Sequence, residues 1–401
     1  MPGDQLPPLY TRAFWTACAV HAAGAMSLAM FVLVPLLIRA LGGTEVTIGL
    51  VLGVGTAASV LVRPTVGVLL DALGRRPVLL GCGVVNALSW LPFLWLTRVS
   101  PWLYVWCTVH AVVWGALFAS YFTYAADLIP PARRAEGIAV FGVFGMAPNG
   151  LAPMLGESII ARAGFPAFLL TAAGFAALSL VLTFLIPGRA PTLRAADTVP
   201  HPARHTMLVA ARQPGMPLVL AVTVVLGVAI NAAFFFVAPF TRDVGLERAG
   251  PFFAAYAGAS VVIRLFGRRA LDILGPHLVS YPAFTVFGLG LAGLAFLPAP
   301  GLLVATGIAC GLGHGTLFPV LNALAITRAP VRLQGTVVSL HTAALDLGAV
   351  VGTPLCGFLA EWAGWRVMFG TMGAACLAGV FLMALDPAKR RRTPWGGQAG
   401  A

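Results

Sequence analysis

The chain of 401 residues is 59% apolar and only 9% charged, with 25 Lys and Arg against 13 Asp and Glu. A soluble domain carries about 25% charged residues, so a water-soluble globule is excluded and most of the folded surface must face lipid. The net charge of +12 does not point to nucleic acid, because the basic residues lie between apolar runs rather than on one polar face.

A spanning helix needs about 20 apolar residues. Apolar runs bounded by charges or by Pro and Gly predict twelve helices, starting near Phe14, Val46, Val78, Trp102, Gly137, Pro166, Met216, Pro251, Leu278, Leu302, Gly335 and Trp365. The first run, Phe14 to Ile38, is interrupted only by Thr16, His21 and Ser27 and is too long for a signal-peptide core, so no cleaved signal is expected. Backbone groups in hydrocarbon must be satisfied internally, and these runs do not alternate as barrel strands do. The expected fold is an all-α membrane protein. Cys18, Cys82, Cys107, Cys310, Cys356 and Cys376 lie inside apolar runs without metal-type spacing and read as small core residues. Neither a metal nor a cofactor is expected.

The Pro- and Arg-containing stretch 188–215 reads as a linker between an N-terminal six-helix half, 1–187, and a C-terminal half with a basic tail, 216–401. Assigned to alternate loops, 19 of the 25 basic residues fall on one side, which places both termini in the cytoplasm. The halves share landmarks. Ser59, Arg63, Asp71 and Gly74 recur 201 positions later as Ser260, Arg264, Asp272 and Gly275, and Gly115 and Gly164 recur 200 positions later as Gly315 and Gly364. Six helices per half leave both copies in the same orientation, a parallel repeat with a substrate site expected near the midplane.

The most specific string joins helices two and three: Arg63-Pro64, then Gly67-Val68-Leu69-Leu70-Asp71-Ala72-Leu73-Gly74-Arg75-Arg76. Gly67 permits close helix approach, Asp71 offers a carboxylate to a helix N-terminus, and Gly74 allows a tight turn. Arg75 and Arg76 suit the anionic inner leaflet and can pair with Asp71. The string resembles the G-x-L-x-D-x-x-G-R-[KR] loop of the major facilitator superfamily. That resemblance implies a transporter of a bacterial-type inner membrane, with Gly67, Asp71, Gly74, Arg75 and Arg76 as a cytoplasmic latch. Topology-setting charge alone is the plainer alternative. Its second copy, Arg264 to Gly275, is degenerate and speaks for duplication more than for a second latch.

Gly142, Gly145, Pro148, Gly150, Pro153 and Gly156 in helix five resemble the glycine- and proline-rich motif of antiporters in the superfamily. The strings Gly311 to Pro319 and Leu345 to Gly352 resemble efflux permeases of the sugar-efflux and metallophore-export type. Ala111 stands where drug–proton antiporters usually carry an arginine, and helix one lacks an acidic residue. Other polar residues of the spans must therefore supply the chemistry. His21 lies in helix one, His110, Trp114 and Tyr121 along one stripe of helix four, Asn231 in helix seven, and His314 and Asn322 in helix ten. The resemblance places these helices around a central cavity, which makes the seven residues candidate substrate contacts; each taken singly also reads as a packing residue. Glu157, about 30 Å along its helix, reads as interfacial, and Arg39, Arg162 and Arg366 as span-ending residues.

Asp346 lies about 16 Å into helix eleven, near the middle of a core about 30 Å thick. Intramembrane carboxylates commonly serve proton or ion pathways, so Asp346 is the candidate coupling acid. His341 is a candidate relay, although five residues put it about 140° around the helix. A purely interhelical bond at Asp346 is the alternative. The expected partners are a small-molecule substrate, protons and the lipid bilayer; a monomer is compatible with this. The leading expectation is proton-coupled efflux by alternating access. Import by symport and a non-transporting receptor stay open, whereas a membrane enzyme would need converging catalytic groups that the sequence does not offer.

Overall fold

A computed structural model describes residues 8–188, 204–297, 299–330 and 333–386, and these residues contain helices and turns but no strand. Positions 189–203 of the expected linker and 387–401 of the basic tail lie outside the described residues. The chain divides into two compact units, one of Met1–Ala196 with Arg248–Ala257 and one of Asp197–Glu247 with Gly258–Ala401.

In the first unit, α1 (Arg12–Met30) starts at Thr11, whose hydroxyl accepts from the Phe14 N–H at 3.2 Å. A 3-10 turn over Phe31–Leu33 interrupts the first apolar run before α2 (Val34–Ala40). Pro35 explains the break, since it has no N–H to continue the ladder. A reciprocal Thr44–Thr47 cap opens α3 (Glu45–Leu73), and α4 (Arg75–Ser89) follows directly across Gly74. Then come α5 (Pro101–Leu128), α6 (Arg134–Met146) and α7 (Pro148–Thr183). The last contains a left-handed Gly164, φ 75°, that divides an otherwise continuous helix. The span from Arg12 to Ala40 is enclosed, with 89% of its most apolar stretch buried against 33% for Glu45–Leu70, so the neighbouring helices surround it. Phe14 of this span joins Leu79, Tyr121, Tyr124, Phe141 and Ile186 in one core cluster.

The second unit holds α8 (Arg204–Ala211), which occupies part of the expected linker, and α9 (Met216–Asp243). It continues with α10 (Gly250–Phe266), α11 (Arg268–Leu294), α12 (Pro300–Thr327), α13 (Gln334–Ala363) and α14 (Trp365–Ala384). Its boundary with the first unit falls inside α10, between Ala257 and Gly258, so Arg248–Ala257 groups with the N-terminal residues.

Ten of the described helical segments are long and apolar enough to cross a membrane, and α10 is a shorter apolar helix. Leu61, Phe266, Phe296 and Phe381 are each more than 70% exposed, a cost in water that lipid removes. Trp95, Trp102 and Trp362 lie exposed near helix ends, as interfacial tryptophans do.

The end of the second unit is fastened by a buried ion cluster. Arg328, just past α12, donates to Asp386 beyond α14 and to the carbonyl of Gly215 before α9, while His277 Nε2 lies 3.4 Å from the same carboxylate. The Asp386 side chain has no exposed surface and that of Arg328 is 7% exposed. Removing one member of a buried pair strands the other, at about 3 to 5 kcal/mol. Asp386→Ala is therefore expected to cost roughly 3 kcal/mol, the low end, because Gly215 still accepts from Arg328. Asp386→Asn, which keeps an acceptor, should cost less. Thermal unfolding in detergent checks this, and an unchanged midpoint for Asp386→Ala would contradict it.

Candidate functional site

Gly74 adopts φ 84°, a conformation that L side chains resist, and ends α3 so that α4 can begin at once. No atom lies within 4 Å of a Cβ built there, so the turn needs glycine for its backbone and not for space. Arg75 Nε lies 3.0 Å from Asp127 Oδ2 at the end of α5, and Arg75 Nη1 donates to the Leu70 carbonyl at 2.9 Å. Arg76 donates to the carbonyls of Phe184 at 2.9 Å and Thr183 at 3.4 Å. Those carbonyls belong to the C-terminus of α7, where orphan acceptors and the negative end of the helix dipole favour a cation. The two arginines thus tie the turn to α5 and α7. The Asp71 side chain lies outside the described residues. Asp127 was not anticipated as a partner, although a carboxylate in the last turn of a helix opposes its dipole and implies a nearby cation.

His21 is 3% exposed, with its ring stacked on Phe141 at 4.4 Å and 5.0 Å from Tyr121. Gly145 makes room for it, since a Cβ there would lie 2.5 Å from His21 Cε1. The Tyr121 hydroxyl is 3.1 Å from Ser179 Oγ, which donates to the Val20 carbonyl at 2.8 Å, so His21 and Tyr121 share one polar cluster between α1, α5 and α7. His110 sits apart from it, stacked on Phe31 at 4.2 Å, with Trp90 edge-on at 4.7 Å and Ser89 Oγ 3.4 Å from Nδ1. Trp114 is 43% exposed and stacks on Phe118. The stripe His110, Trp114, Tyr121 therefore splits into two buried groups and one exposed ring.

In the second unit, Asn231 donates to the Gly227 carbonyl at 2.8 Å and is half-buried. His341 is buried with Nδ1 3.2 Å from Thr223 Oγ1, and its ring lies 5.5 Å from Phe318. Asn322, one turn beyond Phe318 on α12, has a buried Oδ1 without a hydrogen-bond partner, as does His341 at Nε2. His314 and Asp346 are half-buried on α12 and α13. The hydroxyl partners Ser89, Ser179 and Thr223 escaped the sequence reading because a single hydroxyl in an apolar run carries no periodic signal.

Glu157, expected at the interface, is 3% exposed. Its carboxylate accepts from the backbone N–H groups of Ala249 at 2.8 Å and Gly250 at 2.7 Å. Distance along a helix gives depth; which neighbour the side chain meets depends on rotation and packing.

A family profile described as the Major Facilitator Superfamily matches residues 15–340 and again 253–400. The chain belongs to the Major Facilitator Superfamily. An uncharacterized transporter of this type from Salmonella typhimurium is 26% identical over 362 residues, covering 85% of this chain and 87% of the relative. The staphylopine export protein of Staphylococcus aureus is 22% identical over 345 residues, with 84% and 86% covered. Among solved structures, the nucleoside transporter NupG superposes with a TM-score of 0.81 at 13% identity, covering 93% of this chain and 98% of that one. The protein is thus a multi-pass membrane protein of a transporter family, and the expected all-helical fold holds.

Proposed function

We propose that the chain is a secondary active transporter that exports a small organic solute from a bacterial-type cell by alternating access, driven by proton entry. The observation that carries efflux is the similarity, across most of both chains, to a protein named for export. The coupling reading rests on Asp346, a carboxylate within the long apolar helix α13, with His341 as candidate relay. His21, His110, Trp114, Tyr121, Asn231, His314 and Asn322 are the candidate substrate contacts, and Gly67, Asp71, Gly74, Arg75 and Arg76 the cytoplasmic latch.

Twelve spans in two parallel six-helix repeats are the architecture of this reading. Dividing the 48-residue segment Glu136–Thr183 at Gly164 and counting α10 as a span brings the ten long segments to twelve. Left-handed glycines recur in pairs, Gly42 with Gly245, Gly74 with Gly275 and Gly164 with Gly364, at separations of 203, 201 and 200. A Cβ at Gly115 would meet Ser59 Oγ at 2.5 Å, and one at Gly315 would meet Ser260 Cα at 3.1 Å, so residues matched by the repeat make matching contacts within each unit. Both termini are cytoplasmic in this arrangement; reporter fusions at each end should be active only inside, and an external terminus would overturn it.

The decisive experiment compares metabolites in the medium and cytoplasm of cells with and without the protein, then follows the differing compound in vesicles of both orientations under a pH gradient. Accumulation in inverted vesicles is expected. Accumulation only in right-side-out vesicles would make the protein an importer, and binding without movement a receptor.

A further inference from the structure

Glu157 is a buried carboxylate that the proposed latch and coupling residues do not use. It accepts from the residues at which α10 begins, where the first turn leaves N–H groups without helical partners and the dipole presents its positive end. Both carboxylate oxygens accept, Oε1 from Ala249 at 2.8 Å and Oε2 from Gly250 at 2.7 Å, and hydrogen bonds of this kind are stronger to an ionised acceptor than to a neutral one.

The carboxylate ends a stripe on α7. Gly150, Met154 and Glu157, spaced by four and three residues, lie on one helix face and meet the first two turns of α10. A Cβ at Gly150 would lie 3.0 Å from Ala257 Cβ, 3.1 Å from Ala254 Cα and 3.2 Å from the Phe253 carbonyl; one at Gly250 would touch Met154 Cγ and Glu157 Oε2, each at 3.0 Å. Gly150 belongs to the glycine- and proline-rich string of helix five, and this close approach is what it permits. The contact lies within the first unit, and α10 passes out of that unit after Ala257. The Gly150–Met154–Glu157 face thus packs on the amino end of α10 within that unit.

We propose that Glu157 is a positioning residue of the transport cycle: its carboxylate clamps the amino end of α10 against α7 in the conformation described, and the cycle requires that clamp to open. The inference rests on the alternating-access reading. It assigns Gly150 the companion role of letting the clamp close.

The test places a single cysteine at Ala254, half-buried against Gly150, in a background with the six native cysteines replaced. Labelling with a membrane-impermeant maleimide is followed in reconstituted vesicles, with thermal unfolding recorded in parallel. Glu157→Gln keeps the shape but loses the charge and one acceptor, so labelling should rise about fivefold or more, the scale of a conformational coupling. Glu157→Asp, which retains the charge, should fall between Gln and the parent. A merely structural role would lower thermal stability and leave labelling of the folded fraction unchanged, which overturns the proposal. If Glu157→Gln fails to fold, Gly150→Leu decides: it wedges the same face with Glu157 intact and should raise Ala254 labelling, and no rise overturns the proposal. Because labelling needs no transported solute, loss of the clamp and failure of the transport reading are separately visible.

Discussion

Asp346→Asn is expected to abolish solute movement driven by a pH gradient while solute-for-solute exchange, which needs no net proton transfer, persists. The side chain stands 12 residues from the start of α13, about 18 Å along a helix of about 45 Å, and is half-buried. An ionised Asp at such depth costs about 2.5 to 3.5 kcal/mol on insertion scales, and a chain that retains it must solvate or pair it. A carboxylate whose surroundings differ between two conformations binds its proton unequally in them, and that inequality is what couples a gradient to a conformational cycle. Asparagine keeps the volume, loses the charge and one acceptor oxygen, and cannot titrate. His341 is held by Thr223 on a different face of α13, so His341→Gln should lower the rate less than Asp346→Asn does. Transport by Asp346→Asn with undiminished dependence on the gradient would remove Asp346 from the mechanism and leave it an interhelical contact.

The apolar runs made the spans legible because Pro and Gly punctuate them. Starts expected at Val46, Trp102, Leu302 and Gly335 lie within two residues of the observed Glu45, Pro101, Pro300 and Gln334, and three of these four helices begin with a proline or an acidic residue in the first turn. The expected start at Val78 was late because charge was taken as a boundary, whereas Arg75 and Arg76 are already helical. The start expected at Leu278 was late for a related reason: α11 runs from Arg268 through a left-handed Gly275. The turn at Gly74 was readable from its string, but its partners were not. Asp127 and the carbonyls of Thr183 and Phe184 are 52 or more residues away, and no local pattern encodes such pairings. Burial was equally opaque, since His110 and Trp114 differ by only about 40° around α5 yet one is enclosed and the other exposed.

Gly348→Leu should prevent the second unit from folding, and Gly348→Ala should destabilise it by about 3 kcal/mol, the upper end of ordinary overpacking. A Cβ at Gly348 would lie 2.2 Å from the Val224 carbonyl oxygen and 2.9 Å from Gly227 Cα, and one at Gly227 would lie 2.2 Å from the Leu345 carbonyl oxygen. A Cβ at Gly352, one turn further, would lie 2.7 Å from Val228 Cα. These neighbours are backbone atoms, which cannot swing aside, so an added methyl must push α9 and α13 apart. Small residues four apart let membrane helices approach this closely, and dispersion rather than the hydrophobic effect holds them, so separation forfeits most of the attraction. The better helix propensity of Ala returns at most about 1 kcal/mol. Separation also stretches the 3.2 Å contact between Thr223 and His341, so the surviving folded fraction of Gly348→Ala should transport poorly. Gly174→Ala is the control: its Cβ would meet nothing within 4 Å on an exposed face of α7, and its stability should be unchanged or slightly raised. Thermal unfolding in detergent, read beside the yield of monodisperse protein, separates the two. Equal behaviour of Gly348→Ala and Gly174→Ala would mean that α9 and α13 do not pack backbone to backbone.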